Sequence, residues 1–377
     1  MKKRINLLVF GRMPTEKAYG IHALNQAKSF ANLGYNVTLF YPSTNNEKTI
    51  SKDPEDYYEE KFEFKLKEIA FFDITSSILF KFSPNILKKL LWLIRSYQWS
   101  KKLDKDINSS IVWSTNPVTL FIHRKNNNLI FEQHGQAKYI QKFFIRLLKN
   151  HSTTFVGTTR ESFSILKNLS DNTIYLPNAV DVNLFTPKKR TKEYGITIGY
   201  AGMFETYGVD KGVLQCVKKM LELLEDVSFN VVIIGGPLKK LNEIKDLVNN
   251  SNFSEHFRFS NRISQKKLAM EIANFDIGII PYPKNAHMNK YASPLKIFEY
   301  LASGVICLAS DLDSHIEIKK NGINFFENNN FSDFKDQLRS LISNTEEMKR
   351  QKQLILSQIE DLSVDKRSKN LLDFMRL

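Results

Sequence analysis

Short runs of aliphatic and β-branched residues alternate along this chain with longer stretches whose apolar residues recur every three or four positions. That alternation restricts it to an α/β architecture with parallel strands. In the first half Ile5–Phe10, Val37–Tyr41, Ile111–Ser114, Leu129–Phe131, Phe155–Thr158 and Thr173–Leu176 read as short buried strands, with one more expected near Phe62–Ile69. A second series begins at Ile196 and continues through Val231–Ile234, Phe257–Phe259, Ile277–Pro281 and Ile323–Phe326. Between the two series, Pro187 and the following KKRTKE have the composition of an exposed linker. The expected fold is two facing Rossmann-like domains with an interdomain cleft, one over residues 1–187 and one over 188–363. A chain of 377 residues has the length for two such cores.

Charge separates the halves. Residues 1–186 hold 26 Lys and Arg against 16 Asp and Glu, and the remainder 28 against 24, so the first half carries +10 of the net +14. A basic half implies an anionic partner: a membrane surface, a phosphorylated acceptor or a nucleic acid. The two cysteines, Cys216 and Cys307, fall in a helical pattern and a buried strand, so inert core thiols are expected and a reducing cytoplasm fits. The apolar run in MKKRINLLVF is too short for a signal peptide, and no run approaches the ~18–20 residues of a membrane span.

The richest stretch for chemistry is NKYASPLKIFEYLASGVICLASD, residues 289–311. Ser293 followed by Pro294 has the form of an N-cap and first helical residue, and Gly304 ends the helix. On such a helix Lys296, Glu299, Tyr300 and Ser303 share an available face, while Leu295, Ile297, Phe298, Leu301 and Ala302 face the core. A lysine in the first turn opposes the helix dipole unless an anion is bound there. Lys296 with the first-turn N–H groups would then form a phosphate site, with Glu299 placed to accept from neutral hydroxyls. An ordinary solvated (i, i+3) pair accounts for the same residues equally well.

Elsewhere the residues leave alternatives open. GRMPTEKAYG joins the first strand to its helix without a dinucleotide fingerprint, and by itself its Gly20 reads as a turn glycine. FEQHG puts Glu132 and His134 at the carboxyl end of a strand, where open α/β sheets bind ligands. Lys138, Lys142, Arg146 and Lys149 form a basic stripe beside Ile140, Phe143, Phe144, Leu147 and Leu148. A second basic helical pattern, Pro84–Leu103, carries Lys88, Lys89, Arg95, Lys101 and Lys102 with Trp92, Tyr97 and Trp99. Each of the two suits either a core helix with a solvated face or an interfacial helix, and the pair together favours attraction to anionic lipid. Lys211 stands at a helix entry, where the dipole again disfavours an unliganded cation.

SPLKIFEYLASGVICLAS resembles the donor-site helix of the family 4 (group 1) retaining glycosyltransferases, which have the GT-B fold. YGIHALNQAKSFANLGYNVTLF, His134, PNAVD and Lys211 are similar to further family features and fall in the family's order. The resemblance implies a donor site of Gly11, Gly20, Ser293, Pro294, Leu295 and Glu299, with His134, Lys211 and Lys296 as candidate catalytic residues. It also implies that the last helix, 364–377, crosses back onto the first domain. Two positions depart from the pattern: Tyr291 stands where the family has its first Glu, and Met203 where it has an Arg.

The expected activity is transfer of a hexose-type sugar, with retention, from a nucleotide diphosphate sugar to an acceptor hydroxyl in surface polysaccharide or glycolipid assembly. Lys211, Lys296 and the helix start would stabilise the leaving diphosphate, Glu299 would hold the ribose, and His134 with the Gly20 loop would position the sugar. No HxH, HExxH or evident DxD cluster marks a metal site, so the expectation is a metal-independent enzyme. Expected partners are the sugar nucleotide, a glycan or lipid-linked acceptor and an anionic membrane surface, with a cytoplasmic, membrane-peripheral location and no nucleic acid. The rivals are a sugar nucleotide epimerase of the same architecture and a non-enzymatic nucleic-acid binder, which draws on charge alone.

Overall fold

The computed structural model describes residues 3–43, 53–71, 73, 84–103, 107, 109–125, 127–188, 195–206 and 208–377. The linker expected over KKRTKE falls largely outside these residues, as do much of the polar stretch 42–80 and the side chain of Lys89. The chain divides into two compact units, Met1–Pro177 with Arg367–Leu377, and Asn178–Lys366.

The first unit is built on seven strands: β1 (Arg4–Leu8), β2 (Asn36–Pro42), β3 (Lys65–Ile69), β4 (Ile111–Ser114), β5 (Asn128–Gln133), β6 (Thr153–Gly157) and β7 (Thr173–Tyr175). They lie in the order β3-β2-β1-β4-β5-β6-β7, every pair parallel. Alternate side chains feed two cores, one on each face. Ile5, Leu7, Leu39, Trp113, Ile130 and Val156 pack to one side together with Leu371 and Leu372 of the C-terminal helix. Leu8, Phe40, Val112, Leu129, Phe131 and Phe155 pack to the other. Burial on both faces is why these strands are continuous apolar runs in the sequence.

The second unit has six parallel strands, β8 (Thr197–Met203), β11 (Asn230–Gly236), β12 (Phe257–Ser260), β13 (Ile277–Ile280), β14 (Ile306–Ser310) and β15 (Ile323–Phe326), in the order β12-β11-β8-β13-β14-β15. A two-stranded antiparallel ribbon, β9 (Glu205–Thr206) and β10 (Val209–Asp210), leads out of β8. In each unit the strand order reverses beside the first strand, at β1/β4 and at β8/β13. Ligands of open α/β sheets gather outside the carboxyl ends of the strands at such a reversal.

The helix of the 289–311 stretch runs Leu295–Ala302, and its capping differs from expectation. Pro294, with extended backbone, occupies the N-cap position, because the Ser293 hydroxyl is engaged elsewhere: it accepts the Asn178 N–H at 3.0 Å. Gly304 ends the helix at φ +75°. The face expected to be available is mostly buried. Tyr300 is fully buried, its hydroxyl accepting the Ala201 N–H at 2.9 Å, and its ring lies where a Cβ on Gly278 would come within 2.4 Å. Glu299 and Ser303 are buried as well. The helix therefore packs on nearly all sides, and only its first turn, with Lys296, is half-buried.

Candidate functional site

In the second unit, four side chains at the carboxyl ends of β8 and β13 form one electrostatic cluster. Lys211 follows β10 and precedes the helix Val213–Leu224, whose N-cap is Gly212 at φ 78° with no side-chain cap. Its backbone is pinned by the bond from its N–H to the Phe204 carbonyl at 2.9 Å. The side chain is only 7% exposed, and its ammonium sits 4.3 Å from the centre of the Tyr282 ring. No carboxylate pairs with it among the described residues. Burial, reinforced by the charge of nearby Lys296, lowers the Lys211 pKa to about 8. Tyr282 is itself held: its carbonyl accepts the Ser310 hydroxyl and the Asn328 amide, each at 2.7 Å. Burial and the nearby Glu299 carboxylate push its phenol up.

Lys296 is bonded to Glu299 one turn along the helix, so the ordinary (i, i+3) pair is what the structure contains, with the carboxylate 3% and the lysine side chain 17% exposed. Lys211 and Lys296 are close enough to repel, and the Glu299 carboxylate is paired with Lys296. Of the other donor-side expectations, Pro294 is buried, while Ser293 and Leu295 are half-buried at the helix entry. Tyr291 is buried and Met203 is 45% exposed, so neither supplies the charge of the residue it replaces.

In the first unit, His134 immediately follows β5 and belongs to a network centred on Glu132. One carboxylate oxygen, Oε1, lies 2.8 Å from His134 Nε2 and accepts from Arg367 Nη2 at 2.8 Å; the other accepts Trp113 Nε1–H at 3.1 Å. His22 Nε2 also lies 2.8 Å from Oε1, without the alignment that a hydrogen bond needs. Arg367 additionally donates to the Gln26 side chain at 2.6 Å and the Pro177 carbonyl at 2.8 Å. Burial alone would raise the Glu132 carboxyl, but Arg367 and then His22 outweigh it and hold the group well below the usual carboxylate range. Burial drives the His22 imidazole down to about 4. His22, Glu132 and His134 place three ligating atoms within 4.8 Å of one another, the donor set of a small metal site. The Arg367 guanidinium on the same carboxylate oxygen already supplies the positive charge an ion would bring.

Gly20 lies inside the first turn of the helix Ala18–Asn32, buried, where a Cβ would meet Thr15 Cγ2 at 2.2 Å. Its visible role is close packing of the loop on the helix. Gly11 is half-buried beneath the Tyr19 ring, which a Cβ would meet at 2.7 Å. Lys138, Lys142, Arg146 and Lys149 are all exposed along the helix Tyr139–Leu148. Phe143, expected on its apolar side, is instead 57% exposed, and Tyr139 is 90% exposed. Only Ile145 and Leu148 of this helix are fully buried, so its contact face is narrow and both aromatics fall outside it.

Sequence reasoning missed Tyr282, His22, Trp113 and Arg367. His22 lies within a stretch quoted for other reasons, and Arg367 lies 235 residues from Glu132, so no local spacing joins them.

Residues 195–344 match the model of the family described as glycosyl transferases group 1. Among solved structures, a glycosyltransferase from Rickettsia africae is similar at TM-score 0.71 and 14% identity, over 100% of this chain and 98% of that one. Sucrose-phosphate synthase from Thermosynechococcus elongatus follows at TM-score 0.69 and 13% identity, over 100% and 98%. Anabaena HepE, in complex with UDP and glucose, gives TM-score 0.66 and 10% identity over all of both chains. The fold is therefore that of the GT-B glycosyltransferases, two Rossmann-like domains. No curated protein matches the sequence. Nothing among these findings supports the epimerase alternative.

Proposed function

We propose that the enzyme moves a hexose-type sugar, with retention, from a nucleotide diphosphate sugar to an acceptor hydroxyl, and that the cluster around Lys211 holds the donor's diphosphate. The observation that carries this reading is a buried lysine that has no acidic partner among the described residues and lies near a second lysine. A dianionic group placed between them would relieve their repulsion and replace the hydration that Lys211 has lost. In the reaction, the same cations and the N-terminus of the Leu295–Ala302 helix would stabilise negative charge on the departing diphosphate. Glu299 would hold the ribose; His134 and the loop carrying Gly11 and Gly20 would position the sugar. The nucleotide diphosphate bound by HepE supports a donor of this class. Protein cations supply the counter-charge, so the reading is of a metal-independent enzyme. The test is thermal shift with a panel of nucleoside diphosphates and their sugars. At least one should raise the melting temperature of the wild type and leave Lys211→Met unmoved; no shift with any of them would remove the diphosphate assignment.

The acceptor side suits a glycan or a lipid-linked acceptor in surface polysaccharide or glycolipid assembly, approached at an anionic membrane. Tyr139, Lys142, Phe143 and Arg146 offer aromatics interleaved with cations. On the helix Asn85–Lys102, Leu87, Leu90, Ile94 and Tyr97 are exposed at spacings of three, four and three, a single apolar stripe. Both helices pack against the intervening Pro117–Ile122 helix. No helix among the described residues is long and apolar enough to cross a membrane, so the expected association is peripheral, at the inner face of the membrane. Sedimentation with anionic but not zwitterionic vesicles at low salt is the expected result; equal partition into neither would contradict it.

A further inference from the structure

The network around Glu132 also assigns a chemical state to His134. A carboxylate ion-paired with the Arg367 guanidinium at 2.8 Å and accepting the Trp113 indole N–H at 3.1 Å has no proton to give, so each hydrogen bond it makes is accepted. The bond to His134 Nε2 at 2.8 Å therefore requires the proton to be on that nitrogen. In the neutral ring this leaves Nδ1 with a bare lone pair, and Nδ1 has no hydrogen-bond partner among the described residues, on a side chain that is 30% exposed. The carboxylate is fixed at both oxygens, by Trp113 at one and Arg367 at the other. The His22 ring, buried and edge-on to the His134 ring at a centroid distance of 4.5 Å, limits its rotation.

We propose that Glu132 is the positioning residue for His134: it holds the ring in the Nε2–H tautomer and so presents Nδ1 outward as a hydrogen-bond acceptor, the form that recognises a ligand hydroxyl rather than a phosphate or carboxylate. This rests on the sugar-side role given to His134 above for the identity of that hydroxyl, though not for the tautomer. An acceptor nitrogen repels phosphate oxygens and attracts O–H donors. The first unit thus contributes a hydroxyl reader, held by a buried ion pair whose charges cancel without any ligand.

The direct test is long-range proton–nitrogen correlation on full-length protein labelled with ¹⁵N at histidine, with His134 assigned by its loss in His134→Gln. Two other histidines calibrate the spectrum. His315 Nδ1 lies 2.8 Å and His123 Nε2 3.1 Å from backbone carbonyls, which only accept, so they must show opposite tautomers. His134 is expected to follow His123. A proton on His134 Nδ1 with Nε2 bare would overturn the proposal, and so would displacement of the His134 and His22 signals by zinc at stoichiometric concentration. In Glu132→Gln the amide can donate to Nε2, so the His134 pattern should lose its uniform Nε2–H form while the His315 and His123 signals stay. If that variant does not fold, the wild-type spectrum alone decides. In a folded Glu132→Gln, kcat should fall roughly tenfold or more with donor KM within about twofold. The expected tautomer with unchanged turnover in both variants would support the positioning and remove the sugar-side role.

Discussion

The two units hold buried charge in opposite ways. In the first, Glu132 is fully buried yet complete: a guanidinium, an indole N–H and an imidazole N–H satisfy it, and Gln26 and the Pro177 carbonyl satisfy the guanidinium in turn. In the second, Lys211 is nearly as buried but faces an aromatic ring and a second lysine. A closed network rigidifies and orients, whereas an open one awaits a ligand of opposite charge. The difference separates positioning from binding without recourse to any bound molecule.

Breaking the closed network should have the largest effect. Glu132→Ala leaves the Arg367 guanidinium, 4% exposed, without its counter-ion, and is expected to cost about 3–5 kcal/mol in urea unfolding. A loss below about 1 kcal/mol would mean that the ion pair is not structural.

Acid should attack the same network through His22. Its folded pKa of about 4 lies below its ordinary value of 6.5, so the unfolded chain takes up the proton first as pH falls. Stability is then lost between pH 6.5 and 4, by an amount on the order of 3 kcal/mol. His22→Gln should flatten that limb of the stability–pH curve.

In the open cluster a substitution should have the opposite sign to Glu132→Ala. Lys211 has a folded pKa of about 8 against an ordinary 10.5, so its charge penalises the unliganded fold in full below pH 8, and the penalty fades as pH rises to 10.5. Lys211→Met should therefore stabilise the unliganded protein by about 2 kcal/mol at pH 7, with the gain vanishing near pH 10.5. Destabilisation at pH 7 would show that the site is satisfied as it stands.

The smallest effect concerns the exposed aromatics of the first unit. Phe143→Ser removes no core contact of consequence and should leave the melting temperature within about 1 °C while weakening anionic vesicle binding a few-fold.

Both sheets are legible in the sequence because strands buried on two faces must be continuous apolar runs, and Ile111–Ser114 and Ile323–Phe326 have the bounds expected of them. The short helices Pro117–Ile122 and Ala286–Lys290 are not, since five or six residues carry too little periodicity. Lys211 and Lys296 stand out as cations opposing helix dipoles, a local signal. The pairing of Lys296 with Glu299 is local too, but periodicity assigned their helix one available face, and a helix embedded among neighbours has almost none. Tyr282 and Arg367 escape for the same reason: each acts through a partner far along the chain, and a ring beneath a lysine or a guanidinium behind a carboxylate leaves no mark on sequence spacing.

Calorimetric titration of the nucleoside diphosphate sugar found by thermal shift, near pH 8 in buffers of different ionisation enthalpy, tests the open cluster most directly. An anion seated on Lys211 raises the lysine's pKa, so wild-type protein should take up a fraction of a proton on binding, and the affinity should weaken as pH rises above 8. Lys211→Met should bind more weakly and take up none. Binding of equal strength in both proteins, with no proton uptake in either, would contradict the assignment of the diphosphate to this lysine.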